Sequence, residues 1–339
     1  DILTLLDDMC EFDPERHVLG EVVAFIVKAM RSYSNNKDLQ RVCCVLIARV
    51  SERKENWSSL LKGECVETVI VASVNFMEDA AIQHHALEFF SRIATDPDCR
   101  ESIRTHDGVR SILEVMTNNA EVKHVQQFGG ITLNLLAIEE SGANLLSQGK
   151  MDILFEDYVH YANDDEVMVP IGGIFALYSR DIHRDYIARM LEEPFLKQLV
   201  EFLQTRRGNV KLESEVYEVI SNLCADAKAN QYFMDHGVSI LCSSTLREEN
   251  AKTMTEAEKK LSIELVINLC HAVRCLLKGR EVKEVVDNTL LELFRVTLEA
   301  YRKESDAVLA LLDVYQVLVK DADYVKTVTS TGVLTRFFA

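Results

Sequence analysis

An ordered series of residue types returns along this chain about every 43 residues. One copy reads Leu133-Asn134-Leu135-Leu136-Ala137, then Asn144-Leu145-Leu146, then Gly149, then Met151-Asp152-Ile153-Leu154. Another reads Ser221-Asn222-Leu223-Cys224-Ala225, then Asn230-Gln231-Tyr232-Phe233, then Gly237, then Ser239-Ile240-Leu241. An apolar stripe, a polar break, an apolar turn, a glycine and a second stripe keep one order. A chain built this way folds as stacked helical units, because one helix pair buries too little apolar surface to stand alone and each unit leans on its neighbours.

The glycines act as a ruler. Gly63 and Gly108 are 45 residues apart, Gly108 and Gly149 are 41, and Gly149 and Gly237 are 88, or two steps of 44. Pro194 stands where the intervening hinge is expected. Gly237 to Gly332 is 95, which leaves room for an insertion or long loop at Arg247–Lys260. A period of roughly 40–47 residues made of two or three helices is that of HEAT and armadillo repeats, whereas tetratricopeptide and ankyrin repeats run near 33–34. About six or seven irregular units fit into residues 1–339 as one domain, with an irregular first repeat near 1–40 and degenerate last repeats near 261–339. Helices are expected throughout: Glu21–Met30 carries a broad apolar face, sustained two-residue alternation is missing, and most of the 4 prolines and 13 glycines fall at junctions. Asp96-Pro97 and Asn163-Asp164-Asp165 read as helix starts.

Apolar residues make up 48% of the chain, enough to line a core along its whole length. No apolar run reaches the 18 or so residues that a membrane span needs. The chain opens at Asp1, which reads as a piece of a longer protein. Nine cysteines in apolar surroundings follow no disulfide spacing, so they are expected as buried thiols in a reducing, cytoplasmic location, nuclear or cytoskeletal association being open. A net charge of −17 repels phosphate backbones and argues against nucleic-acid binding. It suits a protein partner with a basic segment, or else simply keeps an elongated molecule soluble.

No motif for catalysis, cofactors or metals emerges; H-E-x-x-H, C-x-x-C, G-x-S-x-G and phosphate-loop patterns are missing. Neighbours in a helix point about 100° apart, so His84 and His85 are not expected to share a metal unaided. His271 and Cys275, one turn apart, lack further ligands and read as packing. Gly129-Gly130 and Gly172-Gly173, 43 residues apart, suggest close helix approach at one register.

The strings Gly129–Ala137 and Glu218–Ala225 resemble the third helix of an armadillo repeat, and the segments that follow them resemble its loop, first helix, hinge and second helix. Weaker copies begin at Val45, Leu87 and Ile174. This resemblance implies an all-α, right-handed α-solenoid whose third helices line a groove. In that family an Asn ladder holds an extended peptide backbone and a Trp one turn earlier packs its side chains. Asn134 and Asn222 match the Asn; Ala48, Arg92 and Tyr178 stand at other copies, and Gly130 and Glu218 replace the Trp. The expected function is a non-catalytic scaffold with partner-binding residues Glu88, Arg92, Asn134, Tyr178, Glu218 and Asn222. A regulator of a small GTPase is the alternative. A nuclear-import adaptor fits less well, since Asn–Trp pairs are missing.

Overall fold

A computed structural model describes residues 17–138, 151–180, 186–206, 208–321, 324–325 and 328–329. Pro14, Asn144-Leu145-Leu146, Gly149, Arg207, Gly332 and the closing Val333–Ala339 segment lie outside the described residues. Every regular element among the described residues is helical: nineteen α-helices and one 3-10 turn at Lys54–Asn56. Seven pairs of second and third helices are present among the described residues, in line with the six or seven units expected.

The chain divides into two compact units, residues 1–174 and 175–339, where the sequence suggests one continuous domain. A repeat chain touches only its sequence neighbours, so such a division is natural in it. In the first unit the pairs are α1 (His17–Ser32) with α2 (Lys37–Val50), α4 (Cys65–Asn75) with α5 (Ala80–Ile93), and α7 (Gly108–Asn118) with α8 (Lys123–Ala137). The fourth is α9 (Asp152–His160) with α10 (Asp165–Ser179), and the unit boundary falls inside α10. Short first helices α3 (Trp57–Lys62) and α6 (Pro97–Thr105) precede α4 and α7. Third helices stack on third helices, α2 on α5 and α5 on α8, and second helices stack likewise, α1 on α4 and α4 on α7. Val23, Ile47, Val69, Phe89, Phe90 and Leu133 are buried between these layers.

The second unit repeats the plan. It contains α11 (Ile187–Met190), α12 (Glu193–Thr205) and α13 (Val210–Leu223), then α14 (Ala227–Asp235), α15 (Val238–Ala251) and α16 (Glu256–Leu276). It closes with α17 (Val282–Val285), α18 (Asn288–Ala300) and α19 (Ser305–Leu318). α16 packs between α13 and α19, and α15 packs on α18. Tyr217, Phe233 and Phe294 fill its core.

One polar device recurs inside the first unit. Gln40, Gln83 and Gln126 are each the fourth residue of a third helix, and each is buried. Their side-chain amides donate to two carbonyls at the end of the preceding second helix. Gln40 reaches the Met30 and Tyr33 oxygens at 2.8 and 3.1 Å. Gln83 reaches those of Ser73 and Phe76 at 2.9 and 2.8 Å. Gln126 reaches those of Met116 and Asn119 at 3.0 and 2.8 Å. These oxygens lie at or just past a helix end, where the helix ladder supplies few donors, and each amide adds to the backbone N–H groups of Asn36, Asp79 and Val122 that reach Tyr33, Phe76 and Asn119. Glu213 takes the same helix position in α13 and accepts from the Gly208 N–H at 2.6 Å instead.

The junction glycines do two different jobs. Gly237 is itself left-handed, with φ 74°, immediately before α15. At the other two described junctions the left-handed residue is not the glycine but Glu64 (φ 56°) or Asp107 (φ 60°). Gly63 and Gly108 answer instead to close packing: a Cβ on Gly108 would lie 2.5 Å from Ile103 Cγ2 and 2.6 Å from its carbonyl oxygen. Pro194 opens α12, as its expected place at a hinge implies.

The expected insertion at Arg247–Lys260 is corrected. Residues 247–251 complete α15, four residues follow, and α16 begins at Glu256. Thr255 and Glu258 form a reciprocal capping box that starts the helix. The extra length is taken up by helix, α16 having 21 residues against 14 in α2 or α5. A polar stretch looks like a loop, but it suits equally the solvated end of a long helix.

Replacing Gln126 by Leu keeps the volume and removes two buried hydrogen bonds, leaving the Met116 and Asn119 oxygens only the backbone N–H groups of Asn119 and Val122, so it should cost about 2 kcal/mol in urea unfolding. Asp107→Gly should raise stability by about 1 kcal/mol by removing left-handed strain, and Gly108→Ala should lower it by about 1–3 kcal/mol through overpacking. Thermal melts of the pair would show opposite shifts.

Candidate functional site

The third helices present a row of side chains at repeat spacing, and much of their charge is consumed between repeats. Arg41 of α2 pairs with Asp79, the N-cap of α5, at 2.6 Å. That hydrogen bond holds the Asp79 carboxyl below its ordinary range. Lys123 of α8 meets Asp164 and Glu166 at the start of α10, at 2.8 and 2.7 Å. In the second unit Lys211 reaches Glu264 at 3.4 Å, Lys259 reaches Glu304 at 2.6 Å, and Arg274 reaches Asp313 at 2.8 Å. These bridges span one repeat each and help set the register of the stack.

The six residues expected to bind a partner fall into two groups. In the first unit, Arg92 donates from Nη1 to the Ala48 carbonyl at the end of α2 (2.6 Å) and from Nη2 to Glu88 Oε1 (2.8 Å). Glu88 accepts with its other oxygen from the His85 ring, Oε2 to Nδ1, at 3.1 Å when Nδ1 carries the proton. Asn134 lies against α10, where a Cβ on Gly173 would come within 2.7 Å of its Nδ2. That close approach is one physical reason for a glycine at this register. Gly129 faces Met116 in the same way, while Gly130 has ordinary clearance.

In the second unit, Glu218 accepts from Arg180 Nε at 2.6 Å and Asn222 donates to Ser179 Oγ at 2.9 Å. Arg92 and Asn222 thus tie each third helix to the end of the one before it. Tyr178 is corrected: it is 1% exposed and presents nothing to a partner. Ser179, one residue on, is what Asn222 touches. Ser179 is buried as well, so neither residue offers an exposed side chain. Trp57 stands on α3, with its indole N–H bonded to the Ser51 carbonyl at 2.8 Å, and not on a third helix.

A cluster spanning two repeats was not legible from either alone. His84 and His85 of α5 have ring centres 4.6 Å apart. His124 and Phe128 of α8 lie 5.2 and 5.4 Å from His84. Both α5 histidines are half-buried, rather than one facing the core edge and the other water. Burial lowers the His84 pKa, as do His85 and His124, so this imidazole is neutral near pH 7. Ile131 and Leu135 of α8 are half-buried and Ile138 is exposed, adding apolar surface on and just beyond the same helix. The signal available in the sequence was the helix position of His84 and the spacing of about 40 residues to His124.

The most strongly shifted acids lie in the core. Burial raises Asp157 in α9 to about 8, and its Oδ2 has no hydrogen-bond partner. Burial also raises Glu215 in α13 to about 8, against the pull of Lys211. The described cysteines are buried free thiols, with Cys44, Cys65 and Cys242 pushed up to about 12 by burial. His271 is half-buried and Cys275 is buried. Among the described residues no helix is long and apolar enough to cross a membrane.

No family model matches the chain, and no curated protein matches its sequence. Solved structures do match. A designed armadillo repeat protein aligns at TM-score 0.54 and 13% identity, over 73% of this chain and 99% of that one. A designed armadillo repeat protein in complex with the peptide (KR)4 aligns at 0.53 and 12%, again over 73% and 99%. A structure reporting the interaction between cadherin and beta-catenin aligns at 0.55 and 13%, over 93% of this chain and 68% of that one. At these identities the likeness concerns the fold, which is all-α and armadillo-repeat-like.

The buried Asp157 makes stability depend on pH. Below its ordinary value of 3.8 both folded and unfolded forms are protonated. As pH rises toward 8 the unfolded state gives up this proton and the folded state keeps it, so stability falls by at most about 1.4 kcal/mol per pH unit, levelling above 8. Asp157→Asn should therefore melt higher than the wild type by a margin that grows between pH 5 and 8. A margin independent of pH would refute the assignment.

Proposed function

We propose that this chain is a non-catalytic scaffold that docks a protein partner on the third-helix face of its repeats. The observation that carries the reading is the half-buried mixture of His84, His85, Phe128, Ile131 and Leu135 beside the Glu88–Arg92 pair. Aromatic and apolar groups framed by fixed charges suit a recognition surface. The strongly shifted acids and thiols, by contrast, sit in the core and are shifted chiefly by burial, which suits packing rather than turnover.

The net charge of −17 supports a partner with a basic segment, drawn in by the long-range field. The likeness to a repeat protein solved with a Lys/Arg peptide agrees with that choice. The acids Glu88 and Glu218 are already paired with arginines, so charge on this face would steer encounter and fix register more than hold the partner. A regulator of a small GTPase with a basic tail draws on the same charge, and a nucleotide-release assay separates the two readings. Buried thiols suit a cytoplasmic setting.

The test is affinity purification followed by mass spectrometry with surface variants of unchanged melting temperature. Glu88→Lys and Leu135→Glu on third helices should weaken capture of the partner tenfold or more, as for a central interface position. Phe25→Glu, on the exposed side of second helix α1, should leave it intact. Loss with Phe25→Glu and retention with the other two would place docking elsewhere.

A further inference from the structure

From the geometry around α5 we infer a transition-metal site, suited to zinc(II), formed by His84, His85 and Glu88. The donor atoms of these three side chains all lie within 4.8 Å of one another. Adjacent histidines diverge on a helix, but Glu88 is four residues from one and three from the other. Both separations place side chains on a shared face, one turn apart. The carboxylate therefore closes a set that the two imidazoles would not make alone.

Distances support the assignment. Zinc bonds of about 2.0–2.1 Å in tetrahedral geometry hold ligand atoms roughly 3.3 Å apart. His85 Nδ1 and Glu88 Oε2 are already 3.1 Å apart. A third imidazole, His124, has its ring centre 5.2 Å from that of His84.

The surroundings have the character of an outer ligand shell. Glu88 Oε1 accepts from Arg92 Nη2 at 2.8 Å, which leaves Oε2 for a metal and fixes the plane of the carboxylate. Arg92 is itself anchored on the Ala48 carbonyl at 2.6 Å and lies 3.5 Å from Glu52. Two carboxylates thus balance its charge. Phe128 packs edge-on against His84 and limits the ring's freedom. Two imidazoles with one carboxylate prefer zinc and its late-transition neighbours over calcium or magnesium, which take all-oxygen sets.

The intact chain, stripped with chelator, is titrated with zinc chloride by calorimetry and with cobalt(II) by visible absorption. One equivalent should bind and raise the melting temperature, since a ligand held only by the folded state stabilises it. His84→Ala, His85→Ala and Glu88→Gln should each weaken zinc binding by about tenfold or more and abolish the melting shift. His160→Ala, an exposed histidine on α9, should change neither. Circular dichroism checks that each variant folds, and the isosteric Glu88→Gln decides if an alanine variant does not. Zinc binding equal in the wild type and all three variants, or no binding by the wild type, overturns the site.

Discussion

A side-chain amide donated twice fixes the angle between second and third helices in three consecutive repeats. Gln40, Gln83 and Gln126 each donate to two carbonyls at or just past the end of a second helix, ten and seven residues earlier every time. Each amide thereby adds two hydrogen bonds across its hairpin, worth about 0.5–1.5 kcal/mol apiece. With the hairpin angle set, the apolar stripes of successive repeats meet, and α2, α5 and α8 stack in sequence. The row of surface residues on those helices follows from the stack.

The stack also explains what became of the charge. Arg41 with Asp79, and Lys123 with Asp164 and Glu166, bridge neighbouring repeats in the first unit. Arg92 and Asn222 cross between third helices through hydrogen bonds to the Ala48 carbonyl and the Ser179 hydroxyl. Positions that hold a peptide in the family this chain resembles hold here, in part, the preceding helix. The histidine and aromatic cluster of α5 and α8 lies between these contacts.

The helical repeat was legible because its period survives any single substitution: apolar stripes and junction residues recur even where identities drift. The glutamines were equally visible at a 43-residue step, yet a reading built on apolar phrases and glycines passes over a buried polar residue. Gly63, Gly108 and Gly237 marked junctions, but Glu64 and Asp107 carry the left-handed backbone at the first two, where a Cβ on the glycine would meet Val23 or Ile103. Tyr178 failed because an aromatic residue at repeat spacing suits a buried packing position as well as a groove, and Arg247–Lys260 failed because polar helix ends and loops share a composition. The His84–His124–Phe128 cluster joins residues from two repeats, a relation that exists only after stacking.

Hydrogen exchange on the intact chain, read by mass spectrometry helix by helix, tests the central claim that stability resides in third helices wedged between third helices. The amides of α5, α8 and α16 should form the slowest class, because global opening is needed to free them. The short first helices α3, α11 and α17 should exchange well before them. First helices protected as long as α5 and α8, or third helices exchanging along with them, would contradict the account.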